Sequence, residues 1–104
     1  MAQPVIWSDE SLSNIEGIAD FIGRDSLYYA QVVANEIFAA GESLHDSPRR
    51  GNMVPELNNP AIKELFSYSY RLIYEVRDTE TEILAVIHGR RRLESVEQFN
   101  QGKG

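Results

Sequence analysis

The stretch YRLIYEVRDTETEILAVIH, residues 70–88, decides the fold class. Two apolar runs, YRLIYEV and ILAVIH, flank the polar RDTETE, the pattern of two strands joined by a turn. In the first run Tyr70, Leu72, Tyr74 and Val76 share one face, while Arg71, Ile73 and Glu75 share the other. The second run is apolar on both faces until His88, which predicts a central strand with Ile83, Ala85 and Ile87 on one side. Leu84, Val86 and His88 fall on the other side. Directly after it stand Arg90, Arg91 and Arg92, in a chain whose formal net charge is −6.

Upstream of this pair, IKELFSY (residues 62–68) reads as a further strand with Ile62, Glu64 and Phe66 facing one way. MVPEL (residues 53–57) reads as a short strand that Pro55 confines to an edge or a bulge. Before Gly51 the period is helical. Leu12, Ile15, Ile18, Ala19 and Ile22 form one stripe, with Ser8 as N-cap, Asp9 and Glu10 in the first turn, and Gly23 at the end. Leu27, Ala30, Val33, Ile37, Ala40 and Leu44 form a second stripe, capped by Asp25 or Ser26 and limited by Pro48. The tight join predicts an antiparallel helical hairpin. VIW (residues 5–7) is a short strand that pairs back into the sheet. The expected fold is α+β: a strand, an N-terminal helical hairpin, then a mostly antiparallel sheet of three to four strands, with the helices on one face. Residues 1–104 read as one domain whose tail frays from about residue 98.

Composition narrows the chemistry. The 104 residues contain no cysteine and only two histidines, His45 and His88, on different elements, so no metal ligand set is expected. The longest aliphatic run, ILAVI, is far too short to span a bilayer, and the N-terminus lacks a signal-peptide pattern. A cytoplasmic protein without membrane contact is expected. Residues 1–47 carry eight acids against one base, Arg24, whereas residues 48–92 carry eight bases against six acids. The net acidity argues against indiscriminate nucleic-acid binding but leaves room for a local basic face.

The order of VIW-S before a helix, PRRGNMVPEL after the helical hairpin, YRLIYEV, and a last strand running into HGRR resembles the RelE/ParE superfamily. These are the small toxins of bacterial type II toxin–antitoxin modules, and the likeness runs from Val5 to Leu93. The resemblance implies the fold already derived, no cofactor, and a role in growth arrest and plasmid stabilisation. It also implies a cognate antitoxin encoded in the same operon, held in a toxin–antitoxin hetero-oligomer. Two activities divide the superfamily: ParE-like members inhibit DNA gyrase, and RelE-like members cut mRNA on the ribosome.

Metal-independent RNA cleavage needs groups that move protons and stabilise a phosphorane. The resemblance places Arg71 and Arg90 at the family's catalytic arginines, should the chain be a nuclease. The strand that should alternate lysines carries Ile62, Glu64 and Phe66 at that parity, with Lys63 at the other. No tyrosine follows Tyr74. Arginine stays protonated near neutrality and makes a poor base. His88 has the right chemistry, but a packed or hydrogen-bonded strand-end histidine is the more ordinary role. The loss of the acid–base set favours gyrase inhibition, with ribosome-dependent mRNA cleavage as the alternative. Target binding is assigned to Arg49, Arg50, Arg90, Arg91 and Arg92, and antitoxin binding to Ala30, Val33, Ala34 and Ile37 along the second helix. Arg77, Asp78, Glu80 and Glu82 read as ion pairs that decorate a turn.

Overall fold

The computed structural model describes residues 2–91. In chain order it contains β1 (Val5–Trp7), α1 (Asp9–Gly23), α2 (Leu27–Glu42), a 3₁₀ turn (Ser43–His45), β2 (Asn52–Met53), β3 (Ile62–Ser67), β4 (Tyr70–Val76) and β5 (Thr81–His88). The five strands form one sheet in the order β1-β5-β4-β3-β2. Only the β1–β5 pair is parallel. This is the expected α+β architecture, with four strands after the helices and β1 returning beside β5. No helix among the described residues is long and apolar enough to cross a membrane.

Local chemistry explains the helix starts. Ser8 Oγ accepts the Ser11 N–H at 3.0 Å, and Ser26, not Asp25, caps α2 by accepting the Tyr29 N–H at 3.0 Å. Ser8 also ties α1 to the sheet. Its N–H donates to the Ile83 carbonyl at 3.0 Å and its hydroxyl donates to the Leu84 carbonyl at 3.1 Å. Further along, Asn14 Oδ1 accepts the Val86 N–H at 2.9 Å. Helix α1 therefore runs alongside β5 and ends where β5 ends.

The helices cover one face of the sheet. Ile15, Val33, Ile37 and Leu44 pack there against Leu72, Tyr74, Val76, Ile83 and Val86. The face parity expected for β5 needs correction. Ile73 pairs with Ala85 but Tyr74 pairs with Ile83, so Leu84 is an extra residue, a bulge. The bulge turns Ile83 toward the helices and leaves Ala85 and Ile87 on the opposite face.

That opposite face is covered by the chain itself. Val54, fully buried, packs with Ile73, Ala85 and Ile87, and Leu57 and Ile62 close over them. Burying a valine side chain contributes roughly 1.5–3 kcal/mol, which adds to the packing of Leu57 and the ion pair of Glu56 in holding this segment against the sheet. The strand expected over residues 53–57 accordingly shrinks to Asn52–Met53, because Val54 turns inward and Pro55 has no N–H to offer a ladder. Gly51 sits where a β-carbon would collide with the Glu64 carbonyl and the Tyr74 hydroxyl, so glycine is required there.

The β3–β4 turn is Tyr68–Ser69, and Tyr68 has φ 55°. A bulky side chain in this left-handed region costs about 1–3 kcal/mol.

Candidate functional site

The arginine the sequence places at the nuclease position is buried in carboxylates. Arg71 lies on the sheet face opposite the helices, and its side chain is 5% exposed. Its Nε donates to Glu64 Oε1 at 2.8 Å, from the neighbouring strand β3. Its two terminal nitrogens donate to both oxygens of Glu56, each at 2.9 Å, in a fork-to-fork pair. Glu56 comes from the covering segment, residues 54–61. A further bond runs from Arg71 Nη1 to the Arg91 carbonyl at 3.2 Å. One side chain thus joins β3, the covering segment and the end of β5. The hydrogen bonds that Arg71 donates to Glu56, with its bond to Glu64, raise its pKa above the ordinary value against the opposing effect of burial. Its charge is permanent, and it is already matched by two carboxylates.

Glu64 is therefore not an isolated carboxylate at a phosphate site. It is 8% exposed and bound to Arg71. The sequence brought both residues to one face, which was a readable signal for this pair. Glu56 carried no such signal, because its approach depends on how residues 54–61 fold back.

Among the described residues, Tyr74 and His88 are not assembled with Arg71 as proton-transfer groups. Tyr74 points into the opposite, helix-side core, where its hydroxyl accepts the Gly51 N–H at 2.9 Å. Burial pushes its pKa up, which keeps the phenol protonated. His88 is exposed, its ring edge-on to Tyr70 with centroids 5.8 Å apart. Its Nδ1 accepts the Arg90 N–H at 3.1 Å, so the neutral ring carries its proton on Nε2.

The basic residues assigned to target binding do not share one surface. Arg90 and Arg91 are exposed where β5 ends; Arg92 lies outside the described residues. Arg49 and Arg50 lie at the other end of the sheet. They line a depression of about 480 Å³ with Asp46, Val76, Arg77 and Asp78, and Arg50 Nη1 donates to Ser43 Oγ at 2.8 Å. The length of β5 separates the two groups. At that far end Arg77 pairs with Glu75, Glu80 and Glu82 at 3.0, 3.2 and 2.6 Å.

The antitoxin-binding assignment on α2 also changes. Ala30, Val33 and Ile37 are 6, 1 and 0% exposed, because this stripe faces the protein's own sheet. Ala34 is half-buried against the same core. A stripe of small and branched residues has the same sequence pattern whether it meets a partner or the chain's own core. An accessible groove lies instead between α1 and the C-terminal half of β5. Strand β1 pairs with β5 only at residues 81–83, so the edge beyond is left to Asn14 and to this groove of about 420 Å³. Ile18, Phe21, Tyr70, His88 and Arg91 are among the residues that line it.

Comparison with known proteins agrees with this architecture. A family model described as the ParE toxin of the type II toxin–antitoxin system parDE matches residues 5–93. A curated protein named Toxin RelE2, from Caulobacter vibrioides, is 32% identical over 92 residues, spanning 88% of this chain and 99% of that protein. A solved chromosomal ParDE system from P. aeruginosa superposes with a TM-score of 0.69 at 16% identity, over 84% of this chain and 96% of that one. An arginine double mutant of the E. coli toxin RelE in the free state superposes with a TM-score of 0.61 at 17% identity, over 99% and 96%. At these identities the two structures speak for the fold.

Proposed function

The chain belongs to the ParE toxin family of type II toxin–antitoxin systems, and we propose that within it the protein inhibits DNA gyrase and is neutralised by a cognate antitoxin from the same operon. The single observation that supports gyrase over RNA is the Arg71 clamp. A phosphate approaching Arg71 meets Glu56 and Glu64 in the positions it would need. Two carboxylates around one guanidinium leave the cluster with a net negative charge, which repels an RNA backbone. No acid–base pair stands beside it among the described residues. The competing reading, a ribosome-dependent nuclease acting on mRNA, draws support from the name of the Caulobacter relative.

In this reading Arg71 is structural, and the basic contribution to target binding comes from Arg90, Arg91 and Arg92. Arg49 and Arg50, at the far end, are not part of that contact. The antitoxin binds in the groove between α1 and the C-terminal half of β5, whose walls include Ile18, Phe21 and Tyr70. Gyrase as target places the action in the cytoplasm.

The deciding experiment expresses the chain briefly in bacteria and follows both plasmid supercoiling and the integrity of translated messages. Relaxed or broken DNA with intact messages is the expected result. Codon-positioned cuts with normal supercoiling would establish the nuclease reading instead. Replacing Arg90, Arg91 and Arg92 together by serine is expected to abolish growth arrest while folding persists, since Arg90 and Arg91 are exposed and such substitutions change stability little.

A further inference from the structure

The turn that follows β5 is held more firmly than its exposure requires. His88, Arg90 and Arg91 are all exposed, and amides in an exposed stretch are satisfied by water at little cost. Here each N–H after the strand has a protein acceptor instead. Gly89 donates to the Ser69 carbonyl at 2.6 Å, Arg91 to the His88 carbonyl at 2.9 Å, and Arg90 to His88 Nδ1 at 3.1 Å. The Arg91 carbonyl accepts from Arg71 Nη1 at 3.2 Å, and that guanidinium is itself aimed by Glu56 and Glu64. Gly89 completes the fit. A β-carbon there would stand 3.1 Å from the Phe66 ring and from the Ser69 carbonyl, so the turn sits close against β3 and the β3–β4 turn. Bonds to an exposed turn add little to the core. What they fix is the course of the chain into Arg90, Arg91 and Arg92.

Resting on the reading that these arginines meet gyrase, we propose that His88 is a positioning residue for target binding: through Nδ1 it sets the direction in which the basic segment leaves the sheet. The role needs no contact between His88 and the target. A side-chain acceptor that takes the N–H two residues further on closes a small ring, the device by which Asn and Asp shape turns. Imidazole does this with a stiff plane whose orientation comes from outside the turn. Tyr70 pairs with His88 across the β4–β5 ladder and stands edge-on to its ring at 81°. The register of the sheet therefore places the acceptor, and the acceptor places Arg90. Arginine side chains are long and lose rotamer freedom when a target holds them. A backbone fixed beforehand leaves less to order on binding, so the contact strengthens without a new interaction.

The test uses the full chain, purified DNA gyrase and three variants, His88→Asn, His88→Gln and His88→Leu. Asparagine puts an oxygen where Nδ1 stands, glutamine puts its amide nitrogen where Nε2–H stands, and leucine keeps bulk without an acceptor. The toxin is assayed free of antitoxin, because His88 also lines the groove assigned to that partner. Inhibition of supercoiling, melting temperature and hydrogen exchange of the Arg90 amide are measured for each. His88→Asn is expected to inhibit like wild type. His88→Gln and His88→Leu are expected to lose roughly two- to tenfold, the range of one net hydrogen bond, and to exchange the Arg90 amide faster. Melting should stay near wild type in all three, since position 88 is exposed. Equal inhibition by all three, with wild type active, overturns the role. Rescue by glutamine and not by asparagine makes His88 a direct contact through Nε2, which also overturns it. Melting that falls in step with inhibition makes His88 a stability residue and overturns it too. An Arg90 amide that exchanges as fast in wild type as in His88→Leu means the bond is not held in solution, and the inference falls. A wild-type chain without effect on gyrase, its Arg90 amide still slow, removes the gyrase reading, and the role assigned to His88 goes with it.

Discussion

Arg71 and Arg77 belong to the same stretch of chain, and each gathers several carboxylates, but they do different things. Arg71 is 5% exposed and holds Glu56 and Glu64 on the covered face of the sheet. Arg77 is 40% exposed and holds Glu75, Glu80 and Glu82 around a turn. Water and salt screen the second cluster, so its net contribution is small. The first has lost its water, and each charge in it depends on the others being present. Counting ion pairs would rank Arg77 higher. Burial reverses that order, and it makes Arg71 the tie between β3 and the covering segment.

The comparison can be broken by substitution. Arg71→Ala leaves two carboxylates at a buried site without their cation, and is expected to destabilise by about 3–5 kcal/mol in urea unfolding. A loss below 1 kcal/mol would mean the clamp is not formed in solution. Glu64→Gln removes the more buried carboxylate and is expected to cost about 1–3 kcal/mol, the worth of a hydrogen bond to a charged group. Glu56→Gln should cost less, because Glu56 is 22% exposed against 10% for Glu64, so water takes over part of its role.

Tyr74 extends the test to high pH. Burial raises its pKa in the folded state, so the folded form holds the proton after the unfolded form has lost it. Its contribution to stability is full below the unfolded tyrosine pKa, near 10, and is lost as pH rises through the folded value. Tyr74→Phe should remove that alkaline dependence in melts taken across this range, with the slope surviving in wild type. The smallest effect belongs to Arg77→Ala. A change of about 0–1 kcal/mol is expected, shrinking further in high salt. A loss as large as that at Arg71 would show that exposure does not separate the two clusters.

Much of the architecture was readable beforehand because it follows from short-range patterns. Alternation placed Arg71 and Ile73 opposite Leu72 and Tyr74, and a 3.6-residue stripe placed Ile15, Val33 and Ile37 toward the sheet. The same stripe misled the antitoxin assignment, since periodicity marks a face to be buried without saying by what. Ile83 was misplaced because one extra residue at Leu84 shifts the parity of everything before it, and nothing in ILAVIH marks the bulge. Arg49 and Arg50 were grouped with Arg90 by charge alone, while the distance between them is set by which strand ends lie together.

The class of fold, the start of each helix, the end of the first helix and the limits of β4 all follow from short-range signals in the chain, because capping, turn chemistry and periodicity act between residues a few positions apart; the second helix, read as far as Leu44, gives way to a 3₁₀ turn after Glu42. The closing of Glu56 on Arg71, the cover that residues 54–61 give the second face, and the meeting of Tyr29 and Tyr68 at one end are set by long-range packing. Those outcomes join residues up to about forty positions apart in the chain. They depend on how faces, each already apolar or charged, find their partners once the chain has collapsed.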